Sequence, residues 1–500
     1  MLANLYAAFG QVFDPYVLGV ILASAMYGLF VGAVPGLSAT MAVALLVPVT
    51  FFMPAVPAVA AMVTATAMAI FSGDIPGCLL RIPGTPASAA YTDESYAMTK
   101  KGQSEVALGA GLVFSVVGGL FGTLVLITAA PSLAELALKF SSYEYFWLVL
   151  LGLTCSIMIA SSSPLKGFVS LFLGLLIASV GMNNPAGLPR FTFGNSDLLG
   201  GLSLVPIMVG MFAVSEVLRY AITARNKVGI VQSSIGNVFK GMWGLAVKYP
   251  LSVLRGSVLG TVVGALPGAG ADIAAYMSYA MSKKFSKEPE KFGTGHPEGI
   301  VESGAANNSS LAGAWIPALV FGIPGDSITA IVIGVLYMKN LNPGPMIFIE
   351  NPVAMYAVFI VFILANLLML PLGFLTIKLA KKILKAPRNI LMPLILLFCI
   401  VGAYSINNSA FDVGIMLAFG LLAYLMEENG FPIAPTILGV VLGGMLEETF
   451  VSSMIKADGN FIEFFNRPIA GTLGVLTLLI WVLPVVMRML SKQPRNKGFT

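Results

Sequence analysis

The residues of this 500-residue chain best placed for chemistry are acids and Pro-Gly pairs set inside long apolar runs. The Pro-Gly clusters are Val34-Pro35-Gly36, Gly73-Asp74-Ile75-Pro76-Gly77, Ile82-Pro83-Gly84-Thr85-Pro86, Leu266-Pro267-Gly268-Ala269-Gly270 and Ile323-Pro324-Gly325-Asp326. Proline removes a backbone donor and glycine permits positive φ, so each cluster is expected to break a helix. A helix that starts at such a break points unpaired N–H groups and a positive dipole end at whatever lies beyond it, which suits an anion. Acids at apolar depth are costly and by default functional, with cation coupling as their usual role. The candidates are Asp74, Asp272, Glu302 and Asp326. Asp272 and Asp326 rank first, because each lies one or two residues past a break. The competing reading for each is a helix cap or first-turn acid that offsets the macrodipole. Glu216 and Glu447 are expected near span ends.

Elements that could carry such breaks are membrane helices. The chain is 57% hydrophobic and only 10% charged, with a mean hydropathy of +0.89. Soluble domains carry about a quarter charged residues, so there is too little polar surface here for a soluble fold. At about 20 apolar residues per span the length allows roughly 12 to 14 spans. The uninterrupted apolar runs exclude a transmembrane barrel, whose strands alternate apolar and polar. The expected class is an all-α polytopic membrane protein. Three lone cysteines and a single histidine, His296, offer neither a disulfide framework nor a metal site. No cofactor is expected. His296 sits in the charged segment SKEPEKFGTGHPEG and reads as a solvated loop residue. The aromatics Tyr143, Tyr145, Trp147 and Trp481 read as an interfacial belt. The net charge of +5 comes without a basic run interleaved with aromatics, so nucleic acid is not an expected partner.

The chain also repeats itself. Gly32-Ala33-Val34-Pro35-Gly36 aligns with Gly264-Ala265-Leu266-Pro267-Gly268, and Ile82-Pro83-Gly84-Thr85 aligns with Ile323-Pro324-Gly325-Asp326. The expected units are residues 1–230 and 231–490, followed by a basic tail, 491–500. Basic loops at Lys283 to Lys291 and Lys378 to Arg388 have uncharged or near-neutral counterparts in the first half. Because basic short loops stay cytoplasmic, the two halves are expected to be inverted relative to one another. An inverted repeat with broken helices at matching positions points to a secondary transporter with a binding site near the midplane. The anion cradles would be Pro35-Gly36-Leu37-Ser38, Gly84-Thr85, Gly268-Ala269-Gly270 and Gly325-Asp326-Ser327, supported by Ser88, Asn307 and Asn308. Arg81, the strong cation within a motif, would pair a substrate carboxylate or Asp74.

The stretches GDIPGCLLRIPGTPASAAYTDESYAMTKKGQ and GALPGAGADIAAYMSYAMSKKF, and the run from GHPEGIVESGAANNSS through FGIPGDSITAIVIG to NLNPGP, closely resemble the large membrane subunit of tripartite tricarboxylate transporters. That resemblance spans nearly the whole chain. It implies a bacterial inner-membrane importer of carboxylates such as citrate, or of related dicarboxylates or aromatic acids, driven by a sodium or proton gradient. It further implies two partners, a small membrane subunit of about four spans and a periplasmic solute-binding protein. A passive channel, a stand-alone carboxylate exchanger and an intramembrane enzyme are the alternatives. The first would need a continuous polar lining, and the last a catalytic dyad that no motif here supplies.

Overall fold

The computed structural model describes residues 2–160, 163–182, 184–222, 236–384 and 388–491. The expected boundary at 230/231, the middle of the basic linker, Lys385 and the tail from Lys492 onward lie outside the described residues, as does the side chain of Arg488. Among those described the protein is all-helical, with one isolated antiparallel bridge between Gly181 and Arg190 and no strand. Among the described residues eight helices are long and apolar enough to cross a membrane, and six shorter apolar helices accompany them. The protein is a multi-pass membrane protein.

Two buried helices organise the interior. In the Ala55–Ser72 helix every residue from Pro57 to Ser72 is buried, and in the Pro297–Phe321 helix every residue from Glu298 to Val320 is. A helix apolar or small on all sides must be enclosed by others. Each is gripped by a glycine-bearing neighbour in the same way. A Cβ at Gly28 or Gly32 of the Pro15–Ala33 helix would strike the carbonyl of Ala65 or Ala69. A Cβ at Gly260 or Gly264 of the Pro250–Gly264 helix would strike the carbonyl of Ala306 or Ser310. Small residues at a fourfold spacing let backbones approach where no hydrophobic force between helices operates.

The breaks follow from local chemistry. The Pro15–Ala33 helix stops at Val34, which precedes a proline and is extended, and Gly36 then takes φ +88°. Ser38 caps the Ala39–Phe51 helix by accepting the Met41 N–H at 3.1 Å. In the second half the Pro250–Gly264 helix ends, Gly268 takes φ +83°, and a helix runs over Gly270–Phe285. The Pro297–Phe321 helix ends on Gly322 at φ +68° with Pro324 just beyond. One cluster behaves otherwise. Pro76-Gly77 lies inside the Asp74–Leu80 helix, because Pro76 is third in it, where no intrahelical N–H bond is lost. The chain breaks instead after Leu80, at Arg81 with φ +58°.

Two further expectations are corrected. His296 is buried, with Nε2 3.3 Å from Glu298 Oε2. Its backbone N–H, with those of Gly293 and Gly295 and the Tyr279 hydroxyl, donates to the fully buried carboxylate of Glu94, which draws the loop inward. Trp147 is core rather than belt: it is buried and its indole N–H donates to the Phe464 carbonyl at 2.9 Å.

Candidate functional site: a cavity at the broken helices

A cavity of about 520 Å³ lies where the breaks of the two halves converge. From the first half it receives Ser38, Ala39 and Thr40 at the start of the Ala39–Phe51 helix, and Thr85 with Pro86 and Ala87. From the second it receives Gly268 to Ile273 at the start of the Gly270–Phe285 helix, and Asp326 to Ile328 at the start of the Ser327–Met338 helix. Three helices of twelve or more residues therefore begin on its wall. Their first-turn N–H groups carry the partial positive charge that an anion requires.

Thr85 and Asp326 do the same local work. Each closes a capping box three residues long, Thr85 with Ser88 at 3.2 Å and Asp326 with Thr329 at 2.7 Å. Gly84 and Gly325, just before them, are equally matched: a Cβ at either would lie 2.6 Å from the carbonyl of Gly32 or Gly264. The chemistry of the two halves then diverges. At the 232-residue offset of the first motif Thr40 corresponds to Asp272, and at the 241-residue offset of the second Thr85 corresponds to Asp326. At these matched positions the first half offers the cavity hydroxyls and the second half carboxylates. Asp326 is a helix cap and a cavity acid at once, so the two readings of it are compatible. Asp272 is exposed to the cavity.

Of the remaining wall the sequence points only to Glu216, and there to a span end rather than a site. Phe212, Ser215, Glu216 and Arg219 lie on one face of the Leu204–Ile222 helix, just where a π-helical stretch, Gly210–Val214, shifts its register. Arg219 donates to Glu216 at 3.1 Å and also to Glu427, which lines the cavity too. The signal for Arg219 in the sequence is an arginine three residues after a glutamate at the end of an apolar run.

Other sequence candidates lie outside the cavity lining. Pro35 and Gly36 form the centre of the turn ahead of Ser38, closed by the Leu37 N–H on the Val34 carbonyl, with Pro35 and Leu37 buried. Gly84 and Gly325 pack against backbone, and the Ser88 hydroxyl is spent on Thr85. Ser327 does line the cavity, as do Gly268, Ala269 and Gly270. Asn307 and Asn308 are buried in the interior: Asn307 donates to the Tyr91 hydroxyl at 3.2 Å, and Asn308 to the Ala67 carbonyl at 3.2 Å. Asp74 belongs to that interior cluster, accepting the Tyr91 hydroxyl proton at 2.6 Å. Arg81 faces away from Asp74 and pairs with Asp93 at 2.8 Å, both largely exposed. Glu302 is fully buried and paired with Arg255, Nε to Oε1 at 2.6 Å.

Comparison with known proteins agrees with this architecture. Residues 18–438 match the model of the tripartite tricarboxylate transporter TctA family. A protein of Agrobacterium vitis described as an uncharacterized 52.8 kDa protein in the TAR-I ttuC' 3'region is 34% identical over 500 residues, 100% of this chain and 99% of the relative. A second from the same organism, described as an uncharacterized protein in the TAR-II ttuC' 3'region, is 35% identical over 234 residues, 47% of this chain and 97% of the relative. No solved structure matches the chain at a significant level. A helical membrane protein whose matched breaks meet at one cavity, and whose sequence fits the family model over most of its length, belongs to the tripartite tricarboxylate transporter TctA family, the membrane components of multi-subunit transport systems.

Proposed function

We propose that the protein is the large subunit of a tripartite secondary transporter that imports carboxylates across the bacterial inner membrane. A periplasmic binding protein delivers the substrate, a small four-span membrane subunit completes the assembly, and a sodium or proton gradient drives uptake. The halves, 1–230 and 231–490, act as inverted repeats around the cavity. The observation that carries this reading is the convergence on one cavity of helix starts from both halves, with Asp272 and Asp326 standing where the first half has Thr40 and Thr85.

Charge decides the order of events. Asp272, Asp326, Glu216 and Glu427 line the cavity against the single guanidinium of Arg219. An anion entering alone meets net negative side-chain charge that helix dipoles, about half a charge each, only partly offset. A cation bound first at Asp272 and Asp326 removes that barrier. Among the described residues no set of three acid, histidine or cysteine side chains is grouped for a metal. Two carboxylates with backbone carbonyls from the breaks would give a weak, releasable site, as transport requires. The substrate carboxylate then rests on the N–H groups beside Ser38 and Gly270, with the Thr40 and Thr85 hydroxyls completing its hydrogen bonds. Moving each net negative charge inward against 100 mV costs about 2.3 kcal/mol, so two or three cations must accompany a di- or tricarboxylate.

Right-side-out vesicles carrying the whole complex test this. Imposed sodium or pH gradients should drive accumulation of a radiolabelled carboxylate above its external concentration. Equilibration without accumulation would identify a passive channel, and flux only against an internal carboxylate would identify an exchanger.

A further inference from the structure

We propose that Arg219 reads the far carboxylate of the substrate, with Glu427 as its resting partner while the cavity is empty. The inference rests on the carboxylate-transport reading above and assigns the polyanionic part of its substrate range to one residue. Arg219 is the one cation lining the cavity among the described residues. It stands on the Leu204–Ile222 wall, whereas the helix starts that cradle a first carboxylate form other walls. Two of its five donors are engaged, one by Glu216 and one by Glu427, and about a third of its side chain (34%) remains open.

That arrangement positions the guanidinium without closing it. Both ion pairs are partly open, so a substrate carboxylate can take the place of Glu427 and give the guanidinium a bond of the same type. The planar fork matches a carboxylate with two parallel N–H···O bonds, a geometry lysine cannot reproduce. Glu216, one helical turn before Arg219, stays paired and holds the fork toward the cavity. Space allows the second contact, in a cavity of about 520 Å³. A monocarboxylate satisfied by the helix starts has no second group for Arg219 and would feel only the loss of its charge from the cavity, not the loss of a bidentate contact.

The test compares uptake of a dicarboxylate, a tricarboxylate and a monocarboxylate of matched chain length by the whole complex in vesicles, for wild type, Arg219→Lys and Arg219→Gln. For substrates with two or more carboxylates Arg219→Gln should raise KM about tenfold or more, the scale of one lost charge-assisted pair, with Arg219→Lys in between. The monocarboxylate KM should rise by no more than about threefold in Arg219→Gln, and less in Arg219→Lys, which keeps the charge. Equal KM shifts for both classes, or an equal fall in kcat with KM unchanged, would overturn the assignment and leave Arg219 a structural tie to Glu427. Wild-type uptake restricted to monocarboxylates would overturn it as well. If the wild type accumulates no carboxylate of any class, the reading beneath it fails first and the assignment falls with it.

Discussion

The backbone N–H of Gly268 donates to the carbonyl of Gly325 at 2.8 Å, so the two breaks of the second half are joined directly. A second approach reinforces the joint, because a Cβ at Gly270 would lie 2.7 Å from the Cβ of Asp326. The two acid-bearing helix starts are thereby held as one unit, and neither can shift without the other.

Gly268 has two reasons to be glycine. Its φ of +83° disfavours any side chain by about 1–2 kcal/mol, and a Cβ there would sit 2.5 Å from the Cα of Ser156. Gly268→Val should therefore reduce uptake more than about tenfold while the protein still inserts and assembles. Uptake assays beside quantification of the assembled complex check this, and wild-type rates in the valine variant would refute the placement of the site.

Asp272→Asn and Asp326→Asn separate charge from architecture. Asparagine caps a helix about as well as aspartate, so Asp326→Asn keeps the Ser327–Met338 start intact and removes only the charge. Each variant should weaken the response of uptake to an imposed sodium or pH gradient more than it weakens carboxylate exchange between the two sides. An unchanged gradient response in both would remove these acids from the coupling role.

Glu302 should behave differently from the cavity acids. It is fully buried and paired with Arg255, and removing the arginine leaves a charge uncompensated, at a cost of about 3–5 kcal/mol. Arg255→Met should lower the thermal stability of the purified complex sharply, and Glu302→Gln in the same background should restore much of it. If Glu302→Gln alone changes the ion dependence of uptake as Asp272→Asn does, the separation drawn here between structural and coupling acids is wrong.

Tyr91 and Asp74 form an interior pair that also reaches Asn307. Tyr91→Phe leaves a buried carboxylate oxygen without its donor and should cost about 1–3 kcal/mol. Asp74→Leu, which removes the acceptor, combined with Tyr91→Phe should cost less than the sum of the two single changes, because each removes the same contact. Additive melting-temperature shifts would show that the hydrogen bond contributes nothing measurable.

The membrane class, the breaks at Val34-Pro35-Gly36, Ile82 to Thr85, Leu266 to Gly270 and Ile323 to Asp326, and the correspondence of those motifs between halves were all legible in the chain itself. They are local: a proline withholds its N–H and a glycine accepts positive φ whatever surrounds them. Composition likewise acts without regard to packing, since a chain with so few charged residues cannot clothe a soluble surface. Even the cap at Asp326 follows from spacing, with Thr329 three residues on.

Which acid faces the cavity was decided only by the tertiary structure. Asp74 and Asp272 look alike in sequence, each a lone acid near a Pro-Gly pair, yet Asp74 is enclosed with Tyr91 and Asn307 while Asp272 opens to the cavity. Helix phase and the neighbours brought by packing make that choice: Asp74 meets Tyr91 from the next turn of chain, and Tyr91 meets Asn307 across 216 residues. Glu94 drawing in His296 across 202 residues, Arg255 meeting Glu302, and Arg219 reaching Glu427 across 208 residues have the same origin. A buried charge takes whatever partner the packed chain brings to it, and a one-dimensional pattern of apolar residues carries no record of which helices will touch.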